Sequence, residues 1–127
     1  MALTKRGHLL KYKPQQTRKQ CLLAVRNNGY ALKDVVRQDE EICLAAVKQN
    51  PEVLKYVFTK TEKILMAAVK AEPMMLSTIE EQTEKLCKEA VKRDGRALAY
   101  VKKSTPEIVR LAIANNPMVS ERLGISL

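Results

Sequence analysis

A block of 22 residues repeats along this chain without an insertion, and that regularity limits the fold more than any other feature. Laid in register, Thr17, Asp39, Thr61, Thr83 and Thr105 open successive copies. Ala24, Ala46, Ala68, Ala90 and Ala112 align next, each followed by Val25, Val47, Val69, Val91 or Ile113. Gly29, Pro51, Pro73, Gly95 and Pro117 share a later position, and Leu32, Leu54, Leu76 and Leu98 another. Self-similarity at such a period marks stacked repeats, each too small to bury its own apolar face. A unit this short has room for two short helices. The spacing therefore predicts an all-α solenoid of about five and a half 22-residue αα-hairpin repeats, wound as a right-handed superhelix and forming one domain over 1–127. The full repeats fall at 17–38, 39–60, 61–82, 83–104 and 105–127. Residues 1–16 keep the phase, since Ala2, Gly7 and Leu10 stand 22 residues before Ala24, Gly29 and Leu32. They read as a degenerate capping half-repeat, with a disordered basic arm as the competing reading.

Each copy has local logic. The opening Thr or Asp can accept a hydrogen bond from the free N–H groups of a first helical turn, and Glu40, Glu62 and Glu84 follow where the helix dipole favours an acid. Pro106 takes that place in the last copy, where its missing N–H costs little. Ile42, Cys43, Ala46 and Val47 have the one-face spacing of an amphipathic helix. The helix is expected to stop at Asn28, Asn50, Glu72, Asp94 and Asn116, each followed by Gly as a left-handed cap or by Pro as a breaker. A shorter second helix then packs its Leu and a β-branched residue inward. The last copy departs here, with Ser120 in place of Leu and Leu123 keeping the next apolar position.

Composition narrows the chemistry. Hydrophobic residues make up 46% of the chain, but one Phe and no Trp leave an aliphatic, alanine-rich interior. Apolar runs are too short to span a bilayer, and the N-terminus lacks a secretory pattern, so an intracellular, cytoplasmic and soluble protein is expected. Cys21, Cys43 and Cys87 occupy one repeat position, where Leu65 and Val109 stand in the other copies. Such exchange points to a small buried slot and not to a metal or redox site. His8 is the single histidine, and the glycines are isolated, so no metal cluster, Cys–His pair or phosphate loop can be assembled. The expectation is no enzyme, no cofactor and no small-molecule substrate.

The segments LAAVKQNPEVLKYV and LLAVRNNGYALKDV resemble a family of tandem helical repeats with motifs like VLAAVKQNGxALxYA, found in bacteria, protists and large viruses. The stretch TPEIVRLAIANNPMVSERL is similar to the leucine-rich-repeat variant, which alternates an α-helix with a 3₁₀ helix. The matching motifs form cores and carry over no catalytic residue. The resemblance implies a non-enzymatic scaffold or interaction module. A small phage- or virus-encoded effector, binding and modulating a host protein, fits a chain made of little else.

Charge points to where a partner would dock. Residues 1–38 hold nine Lys and Arg against Asp34, a balance of +8, whereas 39–127 hold 14 basic and 13 acidic residues. The second-helix surface bears His8, Lys11 and Tyr12, then Tyr30, Lys33 and Arg37, then Glu52, Lys55 and Tyr56. Of these, Lys11, Tyr12, Tyr30, Lys33, Arg37, Lys55 and Tyr56 are the candidate contact surface for a protein with an acidic face. The alternative is nucleic acid, with cations on the backbone and Tyr stacked on bases; no membrane contact is expected. Against both stands simple packing, in which Tyr12, Tyr56 and Tyr100, at one repeat position, fill the space between repeats. Arg26, Lys48, Lys70 and Lys92 end successive first helices, where the dipole favours cations, or else form a phosphate-binding row. Leu22, Leu44 and Met66 form either an exposed apolar strip or inter-helix packing.

Overall fold

The computed structural model describes residues 17–122, all of whose regular elements are helical. Five α-helices of ten residues come first in successive repeats: α1 (Arg18–Asn27), α2 (Glu40–Gln49), α3 (Glu62–Ala71), α4 (Glu84–Arg93) and α5 (Pro106–Asn115). Each of the first four is followed by a six-residue 3₁₀ helix: η1 (Gly29–Asp34), η2 (Pro51–Tyr56), η3 (Pro73–Thr78) and η4 (Gly95–Tyr100). A short α6 (Met118–Arg122) follows α5. The fold is all-α and solenoid-like, and every element recurs at the interval set by the sequence. The leading segment 1–16, and with it Lys11 and Tyr12, lies outside the described residues, as does Leu123.

The second helix of four repeats is thus 3₁₀ where an αα-hairpin was expected. Its origin is the residue that ends the α-helix. Asn28, Asn50 and Asp94 are extended, with φ of −152°, −153° and −149°, and Glu72 is extended too. Each side chain then turns forward to accept the N–H two residues on, from Tyr30, Glu52, Met74 and Arg96; Asn116 does the same for Met118. One residue therefore closes the α-helix and opens the next element. The 3₁₀ helix ends at a β-branched residue in extended conformation, Val35, Val57, Ile79 or Val101, whose N–H donates back to Leu32, Leu54, Leu76 or Leu98. β-branched side chains favour that backbone and pack well in it. At the front of each α-helix the expected caps are present, with Thr17, Asp39, Thr61, Thr83 and Thr105 accepting the N–H three residues on.

The chain divides into two compact units, one ending at Ala68 and the other beginning at Val69. In the first, α1 packs on α2, η1 lies against both, and η2 pairs with η1 and α2. In the second, α4 packs on α5, η4 lies against both, and η3 pairs with η4 and α4. In each unit α-helices form one layer and 3₁₀ helices the other. The core between the layers is aliphatic: Ala24, Val25, Leu32, Ile42, Ala46, Val47, Val53 and Leu54 in the first, Leu76, Leu86, Ala90, Val91 and Ile108 in the second, all buried. The aligned alanines have no exposed surface, which is what lets neighbouring helices approach closely. Of the three-residue strip, Leu22 is 9% exposed and Leu44 and Met66 are half-buried, which favours packing over an open apolar surface. Ser120 is buried and satisfies its hydroxyl locally, donating to the Pro117 carbonyl at 2.9 Å.

Gly29 and Gly95 overturn one expectation. Neither has the positive φ of a left-handed cap; each is glycine because the next repeat presses against it. A Cβ on Gly29 would lie 2.7 Å from the Gln49 side-chain oxygen and 2.9 Å from the Ala46 carbonyl, and one on Gly95 would run into the Ala112 carbonyl oxygen. The N–H of each buried glycine then donates to an amide side chain of the next α-helix, Gly29 to Gln49 and Gly95 to Asn115, each at 2.7 Å. Asn115 in turn donates to the Lys92 carbonyl at 3.1 Å.

Candidate functional site

The repeats are joined at the turn after each 3₁₀ helix, and that joint fixes the geometry of the candidate surface. In the first unit, Gln38 reaches from the end of its repeat into the next, donating to the Tyr56 carbonyl at 2.8 Å and accepting the Phe58 N–H at 2.9 Å. The Cys43 thiol donates to the same Gln38 oxygen at 3.3 Å. Burial, followed by the nearby Asp39 and Glu40 carboxylates, pushes that thiol up to about 11, so it stays protonated and keeps its role as donor. In the second unit Gln82 repeats the clamp: it donates to the Tyr100 carbonyl at 2.8 Å, accepts the Lys102 N–H at 2.9 Å, and takes the Cys87 thiol at 3.4 Å. Burial raises the Cys87 thiol too, assisted by Glu84. The cysteines sit in the buried slot expected of them, with a polar neighbour that was not expected.

On this frame the sequence-selected residues divide. Tyr30, on η1, is exposed; its hydroxyl donates to Glu52 of η2 at 3.0 Å, and its ring meets Tyr56 edge-on at 6.4 Å between centroids. Lys55 lies over the Tyr56 ring at 5.4 Å, a cation–π arrangement. Tyr56 itself is half-buried, so packing accounts for part of its role. Tyr30, Tyr56 and Lys55 are therefore brought together, and Glu52, on the same surface but outside the seven candidate contacts, joins them. Lys33 and Arg37 are exposed on and just beyond η1. Lys33 is three residues from Tyr30, which in a 3₁₀ helix places both on one face. Lys11 and Tyr12 lie outside the described residues.

Other charges are engaged in holding repeats together. Arg18 pairs with Asp39 at 2.6 Å and with Glu41, while the Thr61 hydroxyl donates to Glu40 at 2.8 Å. The Ile42 backbone N–H, followed by the Arg18 guanidinium, lowers the Asp39 carboxyl below its ordinary range. Lys88 bridges Glu84 and Glu107, both at 2.9 Å, and these hydrogen bonds raise its ammonium. Arg26 and Lys48 are exposed at the ends of their helices, as the dipole account requires. Among the described residues no three His, Cys, Asp or Glu side chains are grouped to hold a metal ion, and no helix is long and apolar enough to cross a membrane.

The clamp had a sequence signal of its own. Wherever Gln stands at the last position of a repeat (Gln16, Gln38, Gln82), Cys follows five residues later; where Lys60 or Ser104 stands instead, Leu65 or Val109 follows. Likewise an amide residue stands twenty residues after Gly7, Gly29 and Gly95, but Ala71 and Arg93 follow Pro51 and Pro73, which have no N–H to satisfy.

A family described as a domain of unknown function (DUF4116) matches residues 17–60, the first two full repeats, which carry Tyr30, Lys33, Arg37, Lys55 and Tyr56. No curated protein and no solved structure matches the chain.

Proposed function

We propose that this protein is a non-enzymatic interaction module that binds an acidic protein surface through the edge formed by η1, η2 and the turns after them. The observation that carries this reading is the cluster of Tyr30, Glu52, Lys55 and Tyr56, flanked by the exposed cations Lys33 and Arg37. Tyrosines held by neighbours lose little conformational freedom on binding, and cations beside them select for carboxylates. The equivalent positions of η3 and η4 hold Met74, Ser77, Arg96 and Ala99, a surface without paired tyrosines.

Nucleic acid is the runner-up, supported by the mixture of Tyr and cations. Glu52 argues against it: a carboxylate in the middle of the cluster opposes a phosphate backbone, and the Tyr30 ring is already occupied by Tyr56 at its edge. The two readings separate by experiment. Affinity capture with the full chain should recover a specific protein that K33E/R37E/K55E loses, while the far-UV circular dichroism of that variant is unchanged. A mobility shift of duplex DNA at low salt, with affinity falling along a log–log slope of about −0.9 per phosphate neutralised, would replace this reading with the runner-up.

A further inference from the structure

We infer that Val36 and Phe58 are the apolar anchors of that edge, and that the partner segment is acidic and carries apolar side chains of its own. The inference rests on the protein-binding reading above and adds the contact that would give it grip. Phe58 is the only phenylalanine of the chain, and its side chain is 70% exposed. Val36, at the same position one repeat earlier, is also 70% exposed. Both follow directly on the β-branched residue that ends a 3₁₀ helix, Val35 or Val57, which is buried.

The second unit supplies an internal control. Its turn is clamped by Gln82 with the same distances, 2.8 and 2.9 Å, that Gln38 uses. Yet Lys102 stands where Phe58 stands, and Glu80 where Val36 stands. The turn therefore forms with charged residues in both places, and the fold does not call for apolar ones at 36 and 58. An apolar pair kept in water on a scaffold that does not need it points to a surface that covers it.

Charge selects the occupant. Lys33 and Lys55 stand three residues before the two anchors, Arg37 follows Val36, and Lys60 is two residues past Phe58 with its ammonium on the Val57 carbonyl. The corresponding residues around Glu80 and Lys102 are Ser77, Ala99, Glu81 and Ser104, which lack this excess of cations. A second copy of this chain, at +9, is opposed by its own charge. So is the leading segment 1–16, which has Lys5, Arg6, Lys11 and Lys13 and no acid. A partner segment pairing carboxylates with aromatic or branched aliphatic side chains satisfies both features of the edge.

The probe is a random peptide library displayed on phage and selected on the full chain, with selected peptides then resynthesised and titrated. Peptides combining Asp or Glu with apolar residues are expected, weakened about tenfold or more by Phe58→Lys, as befits a central anchor, and further by V36E/F58K. These substitutions copy the second unit, so melting should be unchanged; should F58K nonetheless melt early, Phe58→Ser serves in its place. Peptides that bind F58K and V36E/F58K as tightly as the parent chain, but are lost to K33E/R37E, would overturn the anchors and leave the edge reading standing. Recovery of no peptide sensitive to either set would overturn both.

Discussion

The turn that carries Phe58 and the turn that carries Lys102 share one backbone, one glutamine clamp and one buried thiol, and differ in what they show to solvent. The first presents Phe58, with Val36 on the turn one repeat earlier, among cations; the second presents Lys102, with Glu80 one repeat earlier, and the Lys102 ammonium is bonded to the Glu80 carbonyl at 3.0 Å. The comparison separates two layers of constraint. Residues that reach into the next repeat are fixed by hydrogen bonds that must be satisfied once buried. Residues pointing away from it are free to diverge, and there the two units have taken different surfaces.

The largest expected effect tests the shared layer. Gly95→Ala should cost about 2–3 kcal/mol and Gly29→Ala about 1–2, because the first meets a backbone carbonyl and the second meets first the end of the Gln49 side chain. Urea unfolding of both variants checks the order, and a G29A loss exceeding that of G95A would break it. Next come the clamps: Gln38→Ala and Gln82→Ala should each cost about 1–3 kcal/mol, with faster amide exchange at Phe58 and Lys102 respectively. Unequal losses would show that the two joints are not the same device.

The thiol under the clamp adds a pH signature. Cys43 ionises at 9.0 when unfolded and at about 11 in place, so its contribution is whole below pH 9 and disappears as pH rises to about 11. Melting curves at the two ends of that range should therefore converge for Cys43→Ala and the parent chain on the alkaline side. Asp39 has the opposite sign. Its carboxyl is held below the ordinary 3.8, so its contribution is whole above that value and is lost as pH falls through the lowered one. Asp39→Asn keeps a capping oxygen and removes only the charge, a change of at most about 1 kcal/mol at neutral pH that should vanish in acid. Phe58→Lys should be smallest of all, within about 0.5 kcal/mol, since an exposed side chain replaces another on a turn that accepts both.

Much of this fold could be read from one-residue alignments. The capping Thr and Asp, the buried alanines and the Leu of each 3₁₀ helix act within or beneath their own repeat, so their chemistry is visible at single positions. What escaped were pairs. Gly29 looked like a cap because its partner Gln49 lies twenty residues on, and Gln38 looked like an ordinary polar residue because the atoms it serves belong to Tyr56 and Phe58. The 3₁₀ geometry was hidden for a related reason. It follows from the forward turn of the Asn28-type side chain, which competes with the α-helical ladder and is invisible to apolar spacing. Of the site, Tyr30, Lys55 and Tyr56 were readable as a basic, aromatic stripe. Glu52 was readable on the same surface but not as a contact, because its charge is opposite to that of the cations, and Phe58 fits no pattern of cations and tyrosines.

The difference between the two units is tested most directly by backbone amide shifts of the full chain during titration with a peptide selected on it. The account predicts movement at 30–37 and 52–60, with 74–81 and 96–103 left in place. Equal movement at both sets, or movement in the second alone, would contradict it.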